Sequence, residues 1–400
     1  MAITARPVRP MLVAGGGIGG VAVALALSKV GVRCRVLERK PVFEEAGAGI
    51  QIGPNGVWVL RAIGVAAALA PAAGAPGEIE VRDGVRGAML ATVPLGDHIE
   101  ARHGAPYWTV HRADLHAALL NSAQRDPAIN IETGFQVDRL EATADGVRLI
   151  AVDGRAANGA AVIGADGLWS KVRNYVADPV ELRPAGWSAY RTVIGAAALP
   201  SGLNRNAVGL WLAPRAHAVH YPVRGSMQTA LVVILPQTEA SEGWAREVDR
   251  DALLARLAGL APDLRSVVSA GEGWKAWSLF NVPRLSRWSN GRVALLGDAA
   301  HPVLPFLASG GVLALEDAAV LASCVQASGA DYPAAFDAYA KLRRARVMAV
   351  AAGARRNGGI YHMGGAAALV RNLAMRAIAG PRLLGRYDWL YGWKPPVSGG

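Results

Sequence analysis

Cysteine is nearly missing. Cys34 and Cys324 are the only two in 400 residues, and each sits inside an apolar run. This excludes a disulfide framework and metal sites of the usual ligand spacing, and it fits a reducing cytoplasm. Low-complexity tracts and internal repeats are also missing. With 52% hydrophobic and 18% charged residues, the chain has ample core, and its length suits two domains or one large interleaved unit. Acid is scarcer than base: 31 Asp and Glu against 42 Lys and Arg give a net charge of +11. Such a balance suits nucleic acid, a membrane surface or anionic small molecules. The basic residues form no stripe with interleaved aromatics, so nucleic-acid binding is not expected. Their densest group, Lys341, Arg343, Arg344 and Arg346, falls on an expected helix and reads as a solvated face. The apolar stretch Met11 to Val30 is interrupted by five glycines and followed at once by a strand-like run. It reads neither as a membrane span nor as a signal peptide.

That stretch is instead the first motif. Met11 to Ala14 is a strand candidate, and Gly15, Gly17 and Gly20 form Gly-x-Gly-x-x-Gly. Val21 to Val30 has a helical pattern, and Cys34 to Leu37 is a second strand ending at Glu38. This is the order of a dinucleotide-binding βαβ unit. The glycines permit a tight turn, the approach of a pyrophosphate and close helix packing, while the acid can bind a ribose hydroxyl pair. The following stretch, Gly47 to Gly56, is glycine-rich and mostly uncharged, and can approach a flat ring system closely. A helix is expected from near Pro54, and another from Arg112 to Leu120.

Two further stretches have the same strand–loop–helix layout. Ala161 to Ala165 reads as a buried strand ending at Asp166-Gly167, with Ser170, Lys171 and Arg173 at a helix start. Val293 to Leu296 reads as another, ending at Gly297-Asp298. Pro302 and Pro305 then stiffen an irregular loop, and a long apolar helix begins at Gly310-Gly311. A helix that starts on glycines presents free N–H groups and a positive dipole end, which can hold an anion or a reduced, negatively charged ring.

From Glu181 to Val282 the texture changes to strand-like stretches: Trp187 to Val193, Ala207 to Leu212, Ala216 to Tyr221 and Thr229 to Leu235. Only Asp251 to Leu260 is clearly helical. The expected fold is α/β: a Rossmann-type nucleotide-binding domain interleaved with a mostly antiparallel sheet domain, plus C-terminal helices. The first would comprise residues 1–73, 108–180 and 284–340. The second would comprise 74–107 and 181–283, leaving 341–400 as a helical tail. The tail aromatics Tyr387, Trp389, Tyr391 and Trp393 are read as packing residues.

Taken together, Gly15–Glu38, Asp166–Arg173 and Gly297–Glu316 resemble the motifs of the single-component flavin-dependent aromatic hydroxylases. Salicylate hydroxylase, 3-hydroxybenzoate 6-hydroxylase and, more distantly, para-hydroxybenzoate hydroxylase belong to that family. The likeness extends through Trp277 to Leu279 and Asp388-Trp389-Leu390-Tyr391-Gly392. It implies non-covalent FAD, with NADH or NADPH as co-substrate and no bound metal. Gly15, Gly17, Ile18, Gly19 and Gly20 would hold the pyrophosphate, and Glu38 with Arg39 the adenosine ribose. Gly49 and Ile50 would lie by the ring and Arg112 beside the phosphates and ribityl chain. Asp166 would serve FAD and NAD(P)H, and Asp298 the ribityl chain. Gly310, Gly311 and Val312 would face the flavin N1/O2 edge, and Pro305 the aromatic substrate. In that chemistry NAD(P)H reduces FAD, dioxygen adds at C4a to give a hydroperoxide, and an electron-rich ring attacks the distal oxygen. Substrates of the class are phenolic or hydroxylated aromatic acids, with hydroxylated N-heteroaromatics as an alternative. A further alternative is a flavin-fold dehydrogenase or binding protein that does not activate oxygen. A monomer or homodimer without a membrane is implied. The chain departs from the family at Ser309, where Gln precedes the glycine, and at Asn281-Val282-Pro283, where two charges are lost.

In Ala216 to Tyr221 a strand would put His217, Val219 and Tyr221 on one face and Ala218 and His220 on the other. The resemblance favours His217 as the base for a ring hydroxyl, with Tyr221 orienting the substrate.

Overall fold

The buried tetrapeptide Met11–Ala14 pairs in parallel with Ala161–Gly164 on one side and Cys34–Leu37 on the other. These strands are apolar on both faces, as a sheet covered on both sides requires. Val293–Leu295 and Ile129–Glu132 extend the sheet in parallel, and Ser289–Asn290 closes one edge antiparallel, giving six strands. The computed structural model describes residues 9–43, 49–143, 145–237, 246–329, 331–378 and 380–396. Gly47 and Ala48 of the glycine-rich stretch lie outside them.

The first helix, Ile18–Lys29, begins three residues earlier than its apolar pattern suggested. Gly19 and Gly20 belong to its first turn because the helix must pack tightly there. A Cβ at Gly19 would lie 2.8 Å from the Leu296 side chain. Its main neighbour is the Gly310–Ser328 helix, whose buried residues occur all around its circumference. By length and composition Gly310–Ser328 could span a membrane, but 67% of the qualifying window is buried inside the protein. It is a core helix.

An eight-stranded sheet carries the second layer. Its order runs Arg246–Glu247, Lys275–Asn281, Arg183–Gly195, Gln228–Pro236, Ala216–Val223, Ala207–Ala213, Glu78–Asp83 and Met89–Pro94. All pairs are antiparallel except Ala207–Ala213 with Glu78–Asp83. One face packs Tyr190, Trp211, Ala218, Leu231 and Val233 against helices Arg250–Ala255 and Pro262–Ser269. The second of these helices corrects the expectation of one helix from Asp251 to Leu260. The first of the two ends at Ala255, and Pro262 at the first helical position starts the second. The other face carries Val193, Val219, Tyr221, Ala230 and Val232. A two-stranded ribbon, Gly49–Ile52 with Trp108–His111, lies between this face and the Gly310–Ser328 helix.

The long helix Tyr332–Tyr361 runs straight through the expected domain boundary at residue 341. It also corrects the reading of the basic cluster as solvated, which holds for Lys341 but not for Arg343 and Arg346. Arg343 is 1% exposed, and Glu316 and Asp317 are fully buried. Arg343 pairs with Asp317 at 2.7 Å and with Glu316 at 2.8 Å. Arg346 donates twice to Glu316, at 2.8 and 3.1 Å, and Asn55 donates to it at 2.7 Å. Asp317 accepts from the Gly297 N–H at 3.1 Å and lies 2.6 Å from His301 Nε2. Sequence periodicity could not show this, because the partners sit about 30 residues apart on two helices. Arg343 and Arg346 also lie over Trp393, as the packing role of the tail aromatics requires.

Removing one partner of such a cluster leaves the others buried and unpaired. Arg343→Met should therefore cost about 3–5 kcal/mol in urea unfolding, whereas the exposed Lys341→Met should stay within about 0.5 kcal/mol. Equal effects would show that the cluster is not structural. Burial alone would raise the Asp317 pKa, but His301 and Arg343 hold it down to about 2. A depressed folded pKa gives stability that is present above the unfolded carboxylate value, about 3.9, and lost as pH falls through about 2. Acid unfolding should show this loss.

Candidate active site

The glycine loop is shaped by the backbone around it. Gly15 adopts φ +105°, and a Cβ there would strike the Ala165 carbonyl; a Cβ at Gly20 would strike the Gly15 carbonyl. Gly17 is different, since nothing lies within 4 Å of where its Cβ would be. It caps the Ile18–Lys29 helix without a side-chain hydrogen bond, and no acid occupies the first turn. An open helix N-terminus of this kind attracts phosphate. Glu38 steadies the loop by accepting from the Gly16 N–H at 2.8 Å and the Lys40 N–H at 2.9 Å. His116 Nε2 sits 2.7 Å from the Gly16 carbonyl, a support that sequence reading missed. Ile18 is buried and Arg39 exposed.

Asp166 is turned into its own loop. It accepts from Ser170 Oγ at 2.5 Å and from the Lys171 and Val172 N–H groups at 2.8 and 3.2 Å. Burial raises its pKa against those hydrogen bonds. Arg173 ties this loop to the next, donating to the carbonyls of Leu168, Asp298 and Ala299 at 2.8–2.9 Å. The Asp298 carboxylate is exposed and accepts no hydrogen bond among the described residues.

Beyond it, Pro305–Leu307 forms a single helical turn that ends at Ala308 with φ +48°. The Pro305 carbonyl accepts from the Ala308 N–H at 2.9 Å. Ser309 Oγ bonds the Leu307 carbonyl at 2.7 Å, so the hydroxyl is spent on its own loop rather than on a helix cap. The Gly310–Ser328 helix therefore starts with no side-chain cap and no acid in its first turn. Opposite lies Ile50, whose Cδ1 would be 2.5 Å from a Cβ at Gly311. A Cβ at Gly49 would strike the Tyr221 ring and lie 2.8 Å from Ala230. Gly311, Ile50, Gly49 and Tyr221 thus form a continuous path from the helix start to the inner sheet face.

That face carries the expected histidine. His217 pairs with Ile234 and Leu212 across the sheet, and Tyr221 with Ala230. His217 is buried among Phe306, Tyr361 and His362, and its Nδ1 lies 2.8 Å from His362 Nε2. His362, at the end of the long helix, stacks on Trp187 with ring centroids 4.0 Å apart. Burial lowers the His217 pKa well below the ordinary value, with His362 adding to the effect; burial takes His362 to about 4. Both rings are neutral near pH 7. His220 points to the opposite face, near Trp211, and neither of its ring nitrogens has a partner. Arg112 opens the Arg112–Gln124 helix, and His111 caps it by accepting from the Ala113 N–H at 3.2 Å. Arg112 lies within electrostatic reach of Arg191, a residue that sequence reading passed over.

Residues 9–354 match the FAD binding domain family. The chain is 36% identical over 385 residues to a 3-hydroxybenzoate 6-hydroxylase of Polaromonas naphthalenivorans (strain CJ2), covering 96% of each chain. It is 38% identical over 381 residues to a 3-amino-4-hydroxybenzoate 2-monooxygenase of Streptomyces cremeus, covering 95% and 94%. Among solved structures it resembles Klebsiella pneumoniae HpxO complexed with FAD and uric acid, with TM-score 0.86, 26% identity and full coverage of both chains. A salicylate hydroxylase substrate complex gives TM-score 0.81 and 26% identity, covering 98% and 97%. The open Gly17 turn, the unused Asp298 carboxylate and the uncapped start at Gly310 fit FAD as a set. They offer N–H donors to a pyrophosphate, an acceptor to hydroxyls and a positive dipole end to a ring. Asp298→Ala should weaken FAD binding on the order of 10- to 100-fold, the range for a hydrogen bond to a charged group. The circular dichroism should be unchanged. Full flavin retention, read from the visible absorbance of the purified protein, would refute this role for Asp298.

Proposed function

The chain belongs to the FAD binding domain family, and from that premise we propose that it hydroxylates a phenolic aromatic acid using NAD(P)H and dioxygen. The supporting observation is the path just described. An uncapped helix start at Gly310–Val312 faces, across Gly49 and Ile50, an apolar sheet surface that carries His217 and Tyr221. The bound flavin would supply reducing equivalents from NAD(P)H and activate dioxygen. The chain's own residues do the rest. Gly15, Gly17 and Gly20 shape the phosphate turn, with Glu38 holding the loop at the adenosine end and Asp166 and Arg112 flanking it. The N–H groups of Gly311 and Val312 stabilise negative charge at the ring edge through the helix dipole. The apolar walls, Val193, Val219, Ala230 and Val232, exclude water, which protects a reactive oxygen donor from unproductive decay.

The aromatic acid would lie between the Pro305 turn and the sheet. A phenol is a far better nucleophile as its phenolate, so a base at the hydroxyl accelerates the reaction. His217 is neutral and can accept that proton at Nε2, while Nδ1 faces His362. Tyr221 then fixes the ring's orientation. Ser309, bonded to its own loop, supplies no amide where the family commonly has one. The 3-hydroxybenzoate and aminohydroxybenzoate relatives favour a hydroxylated benzoate as substrate.

Hydroxylated aromatic and N-heteroaromatic acids should be screened for stimulated NAD(P)H oxidation, with product identified by mass. A flavin-bearing protein that no such acid stimulates would contradict the proposal. With a positive substrate, His217→Ala should keep FAD and lower product formation ~10² to 10⁴-fold, the usual worth of a general base. Residual NAD(P)H oxidation should then appear as hydrogen peroxide. His220→Ala, on the far face, should change coupling little. If His220→Ala is the damaging variant, the base assignment is wrong.

A further inference from the structure

The buried arginines outside the inner sheet face all have partners. Arg343 has Asp317 and Glu316, Arg173 has three loop carbonyls, and Arg371 has the carbonyls of Ile360 and Tyr361. Arg191 is the contrast. Its Nε is buried with no hydrogen-bond partner, and none of its nitrogens makes a hydrogen bond or ion pair among the described residues. Its guanidinium lies 5.3 Å from the Trp277 ring centroid, a contact that holds the cation but does not satisfy its N–H groups. Strand register places Arg191 beside Val232, which is beside Val219, so it shares the inner face with Tyr221 and His217. Burial lowers its pKa; nearby Tyr221 opposes this and nearby Arg112 adds to it. Arg191 as a whole is half-buried, but a buried guanidinium N–H left unpaired is costly, and a fork of N–H donors matches a carboxylate.

We propose that Arg191 receives the ring carboxylate of the aromatic substrate, making it a specificity-determining residue of the hydroxylase site read above. The ligand chemistry is an anion, and it has two sources: the carboxylate of the aromatic acid or a phosphate of NAD(P)H. The apolar row of Val219 and Val232 beside Arg191 suits a flat aromatic ring and favours the first.

The test titrates the FAD-loaded protein with 3-hydroxybenzoate and with 3-hydroxybenzamide, its uncharged isostere, following the flavin absorbance. The same pairing extends to the other acids that stimulate NAD(P)H oxidation. The wild type should bind the acid at least about tenfold more tightly than the amide, as a charge-assisted pair predicts. Arg191→Met should abolish that preference and leave amide binding unchanged, and Arg191→Lys should restore part of it. The half-saturating NAD(P)H concentration for anaerobic flavin reduction should not move. Equal binding of acid and amide by the wild type overturns the proposal without needing any variant. So does an Arg191→Met protein that keeps the acid preference but needs more NAD(P)H, which assigns the arginine to the dinucleotide. A flavin-loaded protein that is reduced by NAD(P)H yet binds no acid and no amide of the panel overturns the hydroxylase reading itself.

Discussion

The site depends on a buried cluster of two carboxylates and two guanidiniums. Glu316 and Asp317 are about two turns inside the helix that begins at Gly310, and both are fully removed from solvent. Neither could stay charged there without Arg343, Arg346 and Asn55. Through Asp317 the cluster also holds the Gly297 N–H and His301, which fixes the turn that carries Asp298. Three pieces far apart in sequence are thereby locked together: the Gly297 turn, the Pro54–Ala62 helix and the Tyr332–Tyr361 helix. The reward is an uncapped helix start whose dipole is available to a ligand. A side-chain cap or an acid in that first turn would spend the same positive end on the protein itself.

The second constraint is close approach. Gly19 admits Leu296 and Ala314, Gly49 admits Tyr221 and Ala230, and Gly311 admits Ile50. At each of these positions a methyl group would push apart the elements that must meet around the cofactor. Gly49 lets the nucleotide-binding part meet the inner sheet face, Gly19 and Gly311 allow close contacts within that part, and the polar work falls to a few side chains. Arg173 is one of these, joining the loops after two neighbouring parallel strands through three carbonyls.

Much of this was legible in the chain. Met11–Ala14 and Cys34–Leu37 stand where their apolar tetrads and bounding glycine and acid put them, because short-range pattern decides a buried strand. The mostly antiparallel second sheet followed from alternation, and alternation also separated His217 from His220. What escaped was decided by partners remote in sequence. Arg343 looks like any lysine- and arginine-rich helix position until Asp317 is folded against it. The glycine loop's support by His116 spans 100 residues. Arg191 carries no local signal, since its importance is the lack of a partner in a place only the folded sheet defines. The Pro262–Ser269 helix was missed for a different reason: the proline that ends one pattern also begins the next.

Incorporation of labelled dioxygen tests the central claim most directly. The FAD-loaded protein would be turned over with NAD(P)H, a stimulating hydroxybenzoate and ¹⁸O₂. A product carrying a single labelled oxygen, formed in step with NAD(P)H consumed, is the predicted result. Stoichiometric hydrogen peroxide with no labelled product, across every acid that binds, would contradict it.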